Sequence, residues 1–373
     1  MKFERLGDIA ELIAGQSPPS STYNQERNGV PFFQGKADYG KKFPTVRFWC
    51  SEPTKISLPD DILISMRAPV GPVNINNVES CIGRGLSAIR VKGNANRDYI
   101  FYWLKLNEKQ IADKGTGSVF KAITQKTLSE LKIPLPSFSD QIQIANILSK
   151  AETLIEQRKQ SIALLDELLK SSFLEMFGDP VRNEKGWNKI KFKEAAKNEN
   201  SKRIPVKQGD RDNRAGIYPY YGATGIIDTI DDFKFDGEYL LIAEDGKNLL
   251  FRKKNNAFMA RGKFWVNNHA HVLSDNRICN LRYLEFFLNS IDFKPFITGI
   301  DQVKLNKENL DKIPVPKPPI ELQTQFAHLV EKTEALKEQY KNSLQELENL
   351  YGSLSQRAFK GVLELKTTVT ACV

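Results

Sequence analysis

Three short stretches carry residue types at spacings that could do chemistry. Ser17-Pro18-Pro19-Ser20 is similar to the S-P-P-aromatic loop of amino-methyltransferases. That loop needs a planar ring to stack on a flipped base, and Ser20 supplies none. No glycine-rich strand-to-helix turn suited to a nucleoside cofactor accompanies it, and Gly83-Arg84-Gly85 alone is a weak substitute. Asp236 with Asp245-Gly246-Lys247 imitates the acidic pair and lysine with which a nuclease holds a divalent metal. Such matches are common in a charged chain, and the first half has no counterpart. His269-Ala270-His271 alternates as strand neighbours do, placing both rings on one face, but no third ligand lies nearby and the chain has 3 histidines in all. A hydrogen-bonding pair in a recognition loop fits better than zinc. The 4 cysteines, Cys50, Cys81, Cys279 and Cys372, are far apart and form no C-x-x-C pair, so neither a zinc site nor a disulfide framework is indicated. The phosphate-binding G-x-x-x-x-G-K-[ST] is absent too. The reading is of a chain with no catalytic residues, no metal and no cofactor.

Charge points to binding instead. The net charge is +9, and residues 1–138 and 187–317 are each +6, with 19 Lys/Arg against 13 Asp/Glu and 23 against 17. The stretches between and after them are slightly acidic. A basic unit releases counterions from a polyanion, which favours nucleic acid. Base edges are read by Arg, Lys, Asn and Gln. In the first half the candidates are Gln34, Lys36, Lys41, Lys42, Arg67 and Arg84, which sit beside turn-forming Gly, Pro or Asp. In the second they are Arg252, Lys253, Lys254, Arg261, Lys263, Asn267, Asn268 and His269, with Tyr220 and Tyr221 for packing or stacking. No run approaches the ~18 apolar residues of a membrane helix. The start, Met1 to Asp8, lacks a signal peptide's apolar core, so a cytoplasmic protein is expected.

These candidates need elements to hold them, and the chain writes those elements twice. Thr116-Gly117 recurs as Thr298-Gly299, Leu128 as Leu310, Pro134 and Pro136 as Pro316 and Pro318, and Gln141 as Gln323. The match continues through Glu152/Glu334, Leu168/Leu350 and Phe177/Phe359, always 182 positions apart. A repeat this long is a duplicated domain with its connector, not a solenoid unit of about 20–50 residues. The connectors read as rods. Asp140 to Phe177 contains neither Pro nor Gly, and Gly178-Asp179-Pro180 follows as a stop. Alternate steps of four and three mark a seam through Ile144, Leu148, Ile155, Ile162, Leu165 and Leu169, repeated as Phe326, Val330, Tyr340, Leu344, Leu347 and Leu354. A second seven-residue track follows Ile147, Leu154 and Leu168, with Leu329, Leu336 and Leu350 in the copy. Equivalent helices leaving equivalent domains predict an antiparallel pair with internal two-fold symmetry, the end of the chain returning to the first domain.

The globular halves read as α+β and strand-rich, with strands around Asp61–Met66, Leu86–Val91, Tyr239–Ala243 and Phe264–Val266 and helices around Tyr99–Asn107 and Leu281–Ser290. The expected boundaries are 1–138, 139–178, 179–186, 187–317, 318–361 and a tail at 362–373. In this order the chain resembles the specificity subunit of type I restriction–modification enzymes over nearly its whole length. Gly15 to Ser20 followed by Pro31 to Gly40 looks like the opening of one recognition-domain type, and Tyr218 to Gly225 with Ala243-Glu244-Asp245-Gly246 like another. Ile133 to Pro136 with Gln141, and Val315 to Pro318 with Gln323, resemble that family's helix starts. The resemblance implies two target-recognition domains that read a bipartite double-stranded DNA site. It also implies two long helices that set the spacing, and assembly with two adenine-methylating modification subunits. In many systems motor-nuclease restriction subunits join them. A stand-alone DNA-modifying enzyme and a coiled-coil adaptor that binds only proteins are the rival readings.

Overall fold

The computed structural model describes residues 2–117, 121–299 and 302–365; Cys372 and the end of the expected tail lie outside them. The chain divides into two compact units, Met1–Arg158 with Ser343–Val373, and Lys159–Asn342. Both are α+β, and each is completed by halves of the same two long helices.

In the first unit a four-stranded antiparallel sheet runs in the order Ala10–Ala14, Leu86–Val91, Ile62–Ser65, Val73–Ile75. Successive strand residues point to opposite faces. Ile62 and Ile64 therefore join the core with the helix Arg97–Leu106, whereas Leu63 joins Phe33, Ile82, Leu86 and Ala88 in another cluster. Both faces are covered, which is why all four residues of Ile62–Ser65 are buried. The second sheet contains a parallel pair, Val30–Phe33 beside Ser80–Ile82, with Phe32 opposite Cys81 and Phe33 opposite Ile82.

The second unit has one six-stranded sheet, in the order Lys197–Asn198, Ala270–Ser274, Phe235–Ala243, Ala257–Val266, Tyr218–Gly222, Gly225–Ile230. It too contains a parallel pair, with Tyr220 opposite Trp265 and Tyr221 opposite Val266. The helix Leu281–Ser290 packs on this sheet through Tyr283, Leu284, Phe287 and Leu288. Cys50, Cys81 and Cys279 are buried free thiols.

The rods are single helices, Phe138–Phe177 of 40 residues and Ile320–Lys360 of 41. At 1.5 Å per residue each is about 60 Å long. Each stops at a glycine in the left-handed region, Gly178 at φ 76° and Gly361 at φ 74°, where a side chain would be strained. Both starts are fastened in the same way. Gln141 accepts from the Asn96 amide at 2.8 Å and donates to the Pro136 carbonyl at 3.0 Å. Gln323 accepts from the Asn280 amide at 2.9 Å and donates to the Pro318 carbonyl at 2.8 Å. Tyr99 and Tyr283, on the domain helices, donate to the carbonyls of Pro134 and Pro316.

Within the first unit the start of one rod packs antiparallel on the end of the other: Ile144, Ala145 and Leu148 share a core with Tyr351, Leu354, Ala358 and Phe359. Within the second unit Leu169, Phe173 and Phe177 share one with Phe326 and Val330. Between these ends Ile155, Ile162, Leu165, Tyr340, Leu344 and Leu347 are half-buried. The period departs from the expected steps at the end of the first rod. Burial there follows Leu169, Phe173 and Phe177, every fourth residue, in place of Ser172 and Met176. The helix turns those rings onto its own domain, where Phe173 stacks on Tyr283 and Phe286. The second seven-residue track is covered only in part: Ile147, Leu329 and Leu336 are half-buried, Leu329 against the core of the second unit, whereas Leu154, Leu168 and Leu350 are exposed.

Candidate nucleic-acid interface

The parallel strand pair of the first unit delivers two loops to one place. Val30–Phe33 ends in Gln34-Gly35-Lys36 and Ser80–Ile82 ends in Gly83-Arg84-Gly85, and the Gly83 amide donates to the Phe33 carbonyl at 2.8 Å. A third loop, Met66-Arg67-Ala68, follows Ile62–Ser65, and the Met66 amide donates to the Gly85 carbonyl at 2.8 Å. The approach is close enough to demand glycine. A Cβ on Gly85 would stand 2.3 Å from the Gln34 carbonyl oxygen. The Gln34 turn is held from within by Asp38, whose Oδ2 accepts from the Gln34 amide at 2.7 Å and whose Oδ1 accepts from Arg47 Nε at 2.8 Å. Gln34, Lys36, Arg67 and Arg84 line a single cleft of about 470 Å³ with Ser17 and Tyr23. All four are exposed. Ser17 serves this loop as a hydrogen-bond acceptor, its Oγ taking the Arg84 amide at 3.3 Å.

The second unit repeats the backbone bonds that join these loops. The Asn267 amide donates to the Tyr221 carbonyl at 3.0 Å, as Gly83 does to Phe33. The Glu244 amide donates to the His269 carbonyl at 2.9 Å, as Met66 does to Gly85. The Leu305 amide donates to the Glu244 carbonyl at 2.7 Å, as Ile123 does to Met66 at 3.0 Å. The paired segments Thr116/Ala122 and Thr298/Lys304 also match, at the 182-residue spacing. The loop positions therefore correspond: Gln34 to Gly222, Arg67 to Asp245, Arg84 to Asn268 and Gly85 to His269. Asp245 Oδ2 lies 2.7 Å from His269 Nδ1. Beneath them burial pushes the Glu244 carboxyl up, but Arg203 at 2.8 Å, His271 and Lys304 together outweigh it and hold the group below its ordinary range.

The remaining candidates fall elsewhere or are engaged. Lys41 pairs with Glu156 on the first rod, and Lys42 sits 5.9 Å over the Phe43 ring. Tyr220 is fully buried, its hydroxyl accepting from the Val206 amide at 3.0 Å with Arg211 4.8 Å over its ring, so it packs and is not available for stacking on a base. Tyr221 packs on Phe258 and Phe264. Arg261 pairs with Glu238 at 2.8 Å and Lys263 lies 4.7 Å over Phe233. Arg252 bonds the Asn289 carbonyl and, with Lys254, lines a 630 Å³ groove with Asp166, Glu285 and Lys337; Lys253 between them is exposed. Asn267 is buried, its Oδ1 accepting from the His269 amide at 2.8 Å, which leaves Asn268 and His269 exposed at the loop.

The two histidines do not act as a pair. His269 lies in the turn, whereas His271 is buried in the strand between Asn200 Nδ2 at 2.8 Å and the Leu305 carbonyl at 2.7 Å. Among the described residues no group of His, Cys, Asp or Glu could hold a metal ion. Asp245, read from sequence as a poor imitation of a nuclease and within the family-like stretch Ala243-Glu244-Asp245-Gly246, stands where the first unit has Arg67. Its signal was the recurring Thr116/Thr298 segment beside it.

Residues 1–165 and 184–349 match the family described as the type I restriction modification DNA specificity domain. The chain belongs to that family, and it carries the domain twice. It is 46% identical over 151 residues to the putative type I restriction enzyme MjaX specificity subunit of Methanocaldococcus jannaschii, a match covering 40% of this chain and 36% of that one. The type I restriction enzyme MjaIX specificity subunit of the same organism is 24% identical over 361 residues, covering 85% of this chain and 83% of the relative. The crystal structure of a type I restriction–modification S subunit from M. genitalium has the same fold, with TM-score 0.62 over 98% of this chain and 96% of that one at 17% identity. No helix among the described residues is long and apolar enough to cross a membrane.

Proposed function

We propose that this chain is the sequence-reading subunit of a type I restriction–modification complex. Each unit reads one half of a bipartite DNA site through its three-loop cluster. The rods set the spacing between half-sites and dock two methyltransferase subunits, with restriction subunits joining where the system has them. The chain itself supplies no catalytic group, and the setting is cytoplasmic. The observation that carries this reading is one backbone framework built twice with different side chains at its tip. Two readers of two different sequences need that combination, whereas an enzyme would repeat or concentrate its chemical groups.

The test is co-expression with modification subunits, followed by sequencing of methylated adenines in the host genome. A split motif that requires this chain is the expected result. Methyl transfer by the chain alone would favour the stand-alone enzyme, and a complex without salt-sensitive DNA binding would favour the protein adaptor.

A further inference from the structure

The two loop clusters share their backbone and oppose each other in chemistry. At the matched positions the first cluster presents Arg67 and Arg84, with Lys36 beside them in the cleft. These are hydrogen-bond donors without acceptor capacity. The second presents Asp245, Asn268 and His269. An ionised carboxylate only accepts. His269 Nδ1 lies 2.7 Å from Asp245 Oδ2 and holds that carboxylate in place. Gln34 in the first cluster and Asn268 in the second can both donate and accept, so the opposition lies at the matched pair: Arg67 only donates and Asp245 only accepts.

A carboxylate cannot face a phosphate without repulsion. If the second cluster lies against DNA, Asp245 meets a base edge, and the edges that donate in the major groove belong to cytosine N4 and adenine N6. Arginines at the matched position meet acceptors, and guanine O6 and N7 form the bidentate partner. Asp245 is held for such a role: its neighbour Glu244 is bonded on both sides through the backbone, and its own Oδ2 is fixed by His269. We infer that the position occupied by Arg67 in the first unit and Asp245 in the second is a specificity determinant, selecting guanine in one half-site and an amino-bearing base, cytosine or adenine, in the other. This inference rests on the proposed function.

The experiment uses the full chain in complex with its modification subunits and reads the methylated motif for wild type, Arg67→Ala and Asp245→Asn. Arg67→Ala is expected to relax a guanine in one half only, by about tenfold in discrimination. Asp245→Asn is expected to relax a cytosine or adenine in the other half only, by a similar factor. A duplex with 7-deazaguanine at the first position tests the wild-type complex without any change to the protein. Loss of the N7 acceptor should weaken binding about tenfold for wild type and little for Arg67→Ala. Uniformly weaker binding to all sequences with an unchanged motif would mean a phosphate or structural role and would overturn the inference while leaving the two-reader function intact. A wild-type complex with no motif at all would overturn the function, and this inference with it.

Discussion

Glu199 and His271 are two of the buried titratable groups by which the second unit feels pH. Burial pushes the Glu199 carboxyl up, but Lys197 and Lys202 at 2.9 Å and Ser274 at 3.1 Å outweigh it and hold it at about 2. An unfolded glutamate titrates near 4.3, so its contribution is complete above about pH 4.5 and is lost as pH falls toward 2. Glu199→Gln should cost about 1–3 kcal/mol at pH 7 and less at pH 3, measured by denaturant unfolding at both. Burial also lowers the pKa of His271, so the neutral ring favours the fold. Its stabilisation is present above about pH 6.5 and declines below it, a decline that His271→Gln should abolish. In the first unit Gly85→Ala forces a methyl against the Gln34 carbonyl and should impair recognition of one half-site only, measured by the methylated motif. Residue types located the first cluster because it consists of long donors beside turns. The second was half hidden, because a search for basic residues passes over an acceptor such as Asp245, and Arg261 and Lys263 have neighbours that no local pattern reveals.

The rods and their fastenings were the most legible elements. A heptad is visible along the chain, and the identities shared at the 182-residue spacing include Gln141/Gln323 and Pro134/Pro316, which hold the rods to their domains. Gln323 is fully buried and satisfies two backbone groups. Gln323→Leu leaves both unpaired and should cost about 2–4 kcal/mol, seen as a lowered midpoint for the second unit in thermal unfolding. Gln141→Leu should do the same to the first. The likeness of the two sheets was not legible, because it lies in backbone hydrogen bonds, to which Phe33 and Tyr221 or Gly85 and His269 contribute equally well.

At the scale of the molecule the proposed ruler can be lengthened. The units divide at Arg158 and at Asn342, both within the rods. Inserting seven residues after Arg158 and seven after Tyr340 adds about 10.5 Å, or about three base pairs, while nearly preserving the facing of each helix. The original split site should be lost, and any regained site should keep both half-sequences with a longer spacer. Unchanged methylation would mean that the rods do not set the spacing. Exchanging residues 1–138 for another family member's first domain should alter only one half of the motif.

The first unit is interrupted. Its residues before Arg158 are joined by Ser343 and beyond, and the whole second unit intervenes. On the ribosome some contacts of the first unit therefore wait: Tyr99 cannot meet Phe359, nor Glu152 receive the Tyr351 hydroxyl, until the whole second unit has been made. The second unit is contiguous and has all its parts earlier. The half made first is thus the half whose last contacts, those with the end of the second rod, close latest.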